Sequence, residues 1–175
     1  MVANATIQGT PLVLTSKSAL PNKSSQIVSV MGQVFQKSVF DGEKGYTEAR
    51  GQRKDMAGKE LETARAKTSL FEDLGYTDGK LLRVEPIDGK KAVVLKHMDK
   101  EIFYDLNSGL KIKEVKTVKL ANGKEMKMPT IFSDYKEVNG VKFPYKIDQK
   151  NGPMMLNFVV KELKINEGVT DKDFE

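Results

Sequence analysis

Turn signals are the feature that most restricts how this chain can fold. Six Asx-Gly dipeptides divide its 175 residues. They are Asp41-Gly42, Asp78-Gly79, Asp88-Gly89, Asn122-Gly123, Asn139-Gly140 and Asn151-Gly152. Both central residues of a type I′ turn need positive φ, which Asn, Asp and Gly tolerate best, and this turn matches the twist of paired strands. The sequence therefore predicts a succession of antiparallel hairpins.

The segments between these turns alternate between apolar and polar residues, as half-buried strands do. The clearest example is Val141–Ile147, in which Phe143 and Tyr145 lie on the apolar face. Pro144 interrupts the polar face of this run. Proline cannot donate to a strand ladder, so we expect an edge strand or a local break there.

The apolar phase shifts by one residue in two of these runs. One shift falls between Leu110 and Val115, and the other separates Val160 from Leu163. A shift of one residue is typical of a β-bulge, which bends a strand. We therefore expect strongly curved strands in an antiparallel sheet.

One segment is helical in character. Residues from about 57 to 73 are mostly helix formers without proline, and Gly75 follows as a candidate helix terminator. Because a long antiparallel sheet must curl, close or split, one helix covers a sheet of this length only if the sheet curls around it. We predict a mainly β (α+β) fold: a curved antiparallel half-barrel of about ten or eleven strands, with one main helix (about 57–73) on the concave side. The whole chain, residues 1–175, is expected to form a single domain.

The shortage of residues and motifs that carry catalysis argues against an enzyme. The chain has no cysteine and a single histidine, His97. These counts exclude disulfides, thiolate metal sites, a cysteine nucleophile and any metal site that needs two imidazoles. Phosphate-binding, dinucleotide-binding and nucleophile-elbow motifs are absent as well. We therefore predict no catalytic residue, no metal site and no cofactor, with His97 as a strand-end residue.

The net charge of +5 is spread along the chain. Residues 80–150 carry sixteen basic and ten acidic side chains, in which lysines alternate with apolar or acidic residues. This pattern is typical of a solvated sheet face, so we predict no nucleic-acid partner. No stretch approaches the 18 apolar residues that a membrane-spanning helix needs. The first residues also lack the basic and apolar regions of a signal peptide.

Aromatic and methionine side chains on the strands supply the remaining signal. Most of them are expected to fill a core, but some could line a cavity for an apolar ligand. Phe143, Tyr145 and Phe158 lie on two strands that the Asn151-Gly152 turn joins. We predict these three as candidates for the lining of such a cavity.

A family resemblance supports this hypothesis. The segment Ser133–Asp148 contains Tyr135 followed by Asn139-Gly140-Val141-Lys142-Phe143-Pro144, and the chain later contains Asn166 and Asp173-Phe174. This pattern resembles the C-terminal half of the lipoprotein-carrier superfamily (LolA/LolB-like) of bacterial envelopes. The resemblance implies a half-barrel whose apolar concavity takes lipid, acyl chains or a lipoprotein. It also implies a periplasmic or outer-membrane-associated location.

The sequence also resembles the LolA-like C-terminal module of insulinase-type bacterial zinc proteases. On this resemblance, the chain is expected to be excised from, or appended to, a larger envelope protein. Its alternative function is that of an accessory domain that handles substrates or contacts a protease domain. The chain itself is expected to be non-catalytic under both interpretations.

Overall fold

The computed structural model describes residues 1–7, 9–66, 78–120 and 122–175. The described strands are β1 (Val2–Ile7), β2 (Thr10–Ala19), β3 (Lys23–Val30), β4 (Gln33–Phe40), β5 (Gly45–Ala49), β6 (Gln52–Asp55), β7 (Lys80–Ile87), β8 (Lys90–His97), β9 (Lys100–Asp105), β10 (Lys111–Lys119), β11 (Glu125–Val138), β12 (Val141–Asn151) and β13 (Met154–Glu162). Helix α1 (Gly58–Ala66) follows β6, and a 3₁₀ helix (Asp171–Phe174) follows β13.

The strands form one open sheet in the order β6-β5-β4-β3-β2-β1-β13-β12-β11-β10-β9-β8-β7. The predicted fold class is confirmed, because the described chain is mainly β, with an antiparallel sheet and one α-helix. The expected count of ten or eleven strands was too low, since there are thirteen in the described residues. The two that the sequence did not reveal are β1 and β6. Strand β6 is entirely polar and exposed, so it carries no alternation to detect.

Helix α1 covers the first part of the predicted helical segment. It contains two apolar residues of that segment, Leu61 and Ala64. Glu60 in its first turn and Arg65 in its last turn complement the helix dipole. The rest of the predicted helix, and its expected terminator Gly75, lie outside the described residues.

The turn chemistry explains the hairpins only in part. Asp88-Gly89 and Asn139-Gly140 have positive φ at both residues, as the type I′ prediction requires. The same conformation occurs at Met31-Gly32 and Arg50-Gly51, where the sequence contains no Asx residue.

The two predicted phase shifts have different outcomes. The pairing of β9 with β10 shifts between Lys111 and Lys113, which confirms a bulge at that position. The second predicted shift was wrong, because β13 ends at Glu162 and Leu163 lies beyond the strand.

Of the two alternatives expected at Pro144, an edge strand or a local break, the edge strand was wrong. Pro144 lies within β12, which runs between β11 and β13. A proline removes only one donor, so an interior strand can keep its remaining ladder bonds. A local irregularity is present on the neighbouring strand β11, where Asp134 has a φ of 52°.

The residues group into two compact units. The first unit comprises the described residues up to 66, Val138–Gly140 and Val159–Glu175. Its core cluster joins Val39, Tyr46 and Phe174. The second unit comprises residues 78–137 and Val141–Phe158, and its core cluster joins Ala92, Val94 and Phe103.

Candidate functional site

The first unit contains a partly apolar pocket of about 340 Å³. Its apolar walls come from β4, β5, the segment after β6, helix α1 and the 3₁₀ helix. They are formed by Val39, Tyr46, Met56, Leu61 and Phe174. Charged side chains line the remainder: Asp41, Lys44, Arg53, Asp55 and Glu175. Gly45 completes the lining. The pocket thus combines an apolar floor with a polar margin.

The floor of the pocket is the core cluster of the first unit. Val39 on β4 pairs with Tyr46 on β5, which places both side chains on one face of the sheet. Phe174 packs against them and is only 3% exposed. The Tyr46 hydroxyl donates a hydrogen bond to the carbonyl oxygen of Glu175 (3.0 Å). The tyrosine thus buries its ring while its hydroxyl keeps a partner.

Two lysines hold the 3₁₀ helix in place. The Lys17 ammonium donates to the carboxylate of Asp173 (2.6 Å), and Lys23 donates to Asp171 (2.7 Å). The Asp173 carboxylate also accepts the backbone N–H of Thr170 (2.8 Å), as in a capping box. The lysine contacts lower the pKa of both aspartates, and at Asp173 the Thr170 N–H adds to the effect.

The charged margin of the pocket is organised by local contacts. The guanidinium of Arg53 lies 3.6 Å from the centre of the Tyr46 ring, and its Nε lies 3.4 Å from the Asp55 carboxylate. The Asp41 carboxylate accepts the backbone N–H groups of Lys44 and Glu43, both at 2.7 Å. These two hydrogen bonds lower the pKa of Asp41. The arrangement suits a ligand with an apolar part and a polar end.

The three predicted cavity residues lie elsewhere, on the β12–β13 hairpin of the second unit. The Asn157 side chain donates to the Asp148 carboxylate (2.6 Å), so these two residues share one face. Side chains alternate along a strand, and therefore Tyr145 and Phe158 share the opposite face, together with Phe143. The structure brings the three residues to one face, where each is half-buried.

The Lys136 ammonium lies 4.5 Å from the centre of the Tyr145 ring. A cation therefore borders the aromatic face that Tyr145 shares with Phe143 and Phe158. None of these three residues lines the pocket of the first unit. Their role in binding stays a prediction.

Sequence signals for the residues of the pocket are weaker. Tyr46 was visible as one of many strand aromatics, and Phe174 only as part of the closing Asp173-Phe174 pair. Leu61 lies within the predicted helix, and no sequence pattern indicates what it packs against. Only the folded chain shows that these residues meet.

His97 lies at the end of β8, in the second unit. Its Nδ1 is 2.8 Å from the carboxylate of Asp78. Over the described ranges, no group of three His, Cys, Asp or Glu side chains is arranged to hold a metal ion. In the same part of the chain, no helix is long and apolar enough to cross a membrane.

Comparison with solved structures finds the same architecture in bacterial proteins. A LolA superfamily protein from Nitrosomonas europaea superposes with a TM-score of 0.66 at 12% identity, over 99% of this chain and 87% of that one. The chain has a LolA-like fold. A DUF1329 family protein from Desulfovibrio piger gives a TM-score of 0.65 at 12% identity, with the same coverage. No family model and no curated protein matches the sequence.

Proposed function

We propose that this LolA-like chain is a non-catalytic domain of the bacterial envelope that binds an acyl chain of a lipid or lipoprotein. The observation that carries the proposal is the pocket of the first unit, with its apolar floor and charged margin. The LolA-like fold and the resemblance of the Ser133–Asp148 segment to lipoprotein carriers support it. A periplasmic or outer-membrane-associated location follows from the same resemblance.

The size of the pocket limits what it holds. A volume of about 340 Å³ lies at the lower end of the range for ligand sites, roughly 300–1,000 Å³. It suits one stretch of acyl chain rather than a complete multi-chain lipid. Burial of a methylene stabilises a complex by about 0.8 kcal/mol, so about seven methylenes supply about 5.5 kcal/mol. That free energy corresponds to a Kd of about 0.1 mM.

The polar margin is expected to hold the other end of the ligand. Arg53 and Lys44 offer donors to a carboxylate or ester oxygen, while Tyr46 and Phe174 contact the methylenes. The half-buried face formed by Phe143, Tyr145 and Phe158 is a second candidate for the acyl site. The two candidates lie in different units, so substitutions can separate them.

Titration of the delipidated protein with a fluorescent fatty acid tests the proposal, together with native mass spectrometry of the freshly purified protein. We expect a saturable signal and a bound lipid mass. Leu61→Glu keeps a good helix former but places a carboxylate in the pocket, so affinity should fall at least about tenfold. Leu81→Glu, at an exposed leucine of the second unit, is the control and should leave affinity unchanged.

The outcomes are distinct. Absence of both a bound lipid and a saturable signal would contradict the proposed function. A loss of affinity in Tyr145→Glu, with none in Leu61→Glu, would move the site to the β12–β13 hairpin.

The alternative function is an accessory domain of an insulinase-type zinc protease. It predicts that the natural reading frame continues upstream into a domain with paired zinc-binding histidines. Sequencing of the complete reading frame tests it, and a separate frame with its own signal peptide would contradict it.

A further inference from the structure

One end of the second unit combines exposed apolar side chains with lysines. Strands β8, β10 and β12 run in the same direction, so the turns that follow them lie at one end of this unit. These turns are Met98-Asp99, the described residues of 120–124, and Gly152-Pro153. We call this end the tip surface.

One hydrogen bond and one close approach connect the turns of the tip surface to the strands beside them. The backbone N–H of Thr117 donates to the carbonyl of Asp99 (2.8 Å), which joins the first turn to β10. The sulfur of Met126 on β11 lies close to Gly152, 3.9 Å from the position that a Cβ would occupy, which places the third turn beside β11. The three turns of the tip surface therefore lie at the same end of neighbouring strands in the second unit.

Apolar side chains lie in each of the first two turns and, next to the third turn, at the start of β13. Met98 is 80% exposed, Met155 is 48% exposed, and Leu120 and Met154 are each more than a third exposed. A single exposed apolar residue is ordinary, but a group at one end of a sheet indicates an interaction surface. Methionine is also flexible enough to adapt to an irregular partner.

The charges around these side chains are predominantly positive. Residues 116–128 contain four lysines and one acidic residue, Glu125. Lys119, Lys124 and Lys127 are exposed, as is Lys150 at the end of β12. Lys116 lies 3.8 Å from the Asp99 carboxylate, which neutralises part of the charge. The tip surface thus has an apolar centre and a net positive margin.

We propose that the tip surface docks on an anionic phospholipid membrane. The methionines and Leu120 enter the interface between headgroups and acyl chains, and the lysines contact the lipid phosphates. Charge complementarity favours an anionic lipid surface over a zwitterionic one. This inference goes beyond acyl-chain binding, because it concerns the second unit and uses no residue of the pocket.

Flotation of the full chain with phosphatidylcholine vesicles, with and without phosphatidylglycerol, tests this docking. We expect the protein to float only with the phosphatidylglycerol vesicles, and less at high salt. Lys119→Glu with Lys124→Glu should weaken partitioning at least about 25-fold, since each lysine near an anionic surface contributes about fivefold. The matched control is Lys91→Glu with Lys142→Glu. It changes the charge equally at the opposite ends of β8 and β12.

A second pair of variants tests the apolar contribution. Met98 and Met31 are both highly exposed turn residues, with φ of 50° and 51°. Asn tolerates this conformation, so Met98→Asn and Met31→Asn should both fold. Met98→Asn should weaken partitioning about threefold to tenfold, whereas Met31→Asn, in the first unit, should leave it unchanged.

Three results would overturn the proposal. They are no flotation with phosphatidylglycerol vesicles, equal flotation with both kinds of vesicle, and equal losses in the two lysine double variants. None of these results depends on the fatty-acid titration, which uses no vesicle. The failure of membrane docking is thus distinguishable from the failure of acyl-chain binding.

Discussion

The two units build their cores in different ways. In the second unit, Ala92 and Val94 on β8 pack with Phe103 on the neighbouring strand β9. In the first unit, Val39 and Tyr46 need Phe174, which lies more than 120 residues further along the chain, for their core contact. The core of the second unit forms between consecutive strands, with Ile87 of β7 and Val115 of β10 packed against it, whereas the core of the first unit closes only when the C-terminal segment docks. The pocket therefore depends on a long-range contact between Tyr46 and the C-terminal residues.

Removal of the central ring of the second unit should have the largest effect. Phe103 is 2% exposed, and Arg83 and Lys113 lie within 6 Å of its ring centre. Phe103→Ala should lower the free energy of unfolding by about 3–5 kcal/mol, because it leaves a cavity and removes the platform for both cations. Guanidinium denaturation measures this loss. An effect below about 1 kcal/mol would show that the core does not depend on this ring.

Phe174→Ala makes the equivalent change in the first unit. We expect a loss of about 3 kcal/mol, together with weaker fatty-acid binding, because the ring is both core and pocket wall. Hydrogen exchange should accelerate in β4 and β5 but not in β8 and β9. Uniform acceleration across both units would contradict the separate cores. Phe103→Ala, which should spare β4 and β5, is the matched control.

Gly45 tests how closely the pocket wall is packed. A Cβ at this position would lie 2.6 Å from the backbone carbonyl oxygen of Val39 and 2.6 Å from the sulfur of Met56. Since a backbone oxygen cannot move aside, Gly45→Ala should destabilise the chain by about 1–3 kcal/mol. Gly89→Ala, at an open turn with a φ of 79°, should cost about 1 kcal/mol or less from backbone strain alone. Thermal unfolding of both variants checks the difference, and equal losses would argue against close packing at Gly45.

The smallest expected effect is a difference between Asp173 and Asp105 in how salt changes their pKa values. Lys17 lowers the pKa of Asp173, whereas the backbone N–H groups of Ser108 and Asn107 lower the pKa of Asp105. A lowered pKa in the folded state means that each carboxylate stabilises the fold above its unfolded pKa, about 3.9. This contribution disappears as the pH falls through the lowered value. Since salt screens ion pairs, about 1 M salt should raise the pKa of Asp173 more than that of Asp105, where the contact with Lys90 (3.7 Å) contributes less than the two backbone hydrogen bonds.

Carboxyl NMR titrations at low and high salt measure both values. Asp105 is the internal control, because its hydrogen bonds to Ser108 and Asn107 are local and fixed by the turn. Equal salt shifts at the two aspartates would contradict the assigned causes.

The sequence predicted the elements whose signals are local. The Asx-Gly turns at Asp88 and Asn139 have the predicted positive φ, and the bulge near Lys113 was visible as a shift of the apolar phase. Turns at Met31-Gly32 and Arg50-Gly51 were missed, because neither Met nor Arg favours positive φ by itself. There the pairing of the flanking strands overrides the local preference.

The candidate sites show the same limit. Alternation placed Phe143 and Tyr145 on one face of β12, and the structure adds Phe158 through the contact between Asn157 and Asp148. No sequence pattern joined Leu61, Tyr46 and Phe174, which lie in three separate elements. The edge expected at Pro144 was wrong, because the position of β12 in the sheet depends on which strands pair on both of its sides.

The sequence alone therefore determined a mainly β chain of hairpins with one helix. Period-2 alternation and turn chemistry act within a few residues, so they can be read without a fold. Tertiary structure decided that Phe174 returns to Tyr46, that a pocket forms there, and that Met98, Leu120 and Met155 gather at one end of the second unit. These features depend on strand order and on contacts between distant residues. Such contacts form only when the whole chain folds, because bringing distant segments together costs conformational entropy.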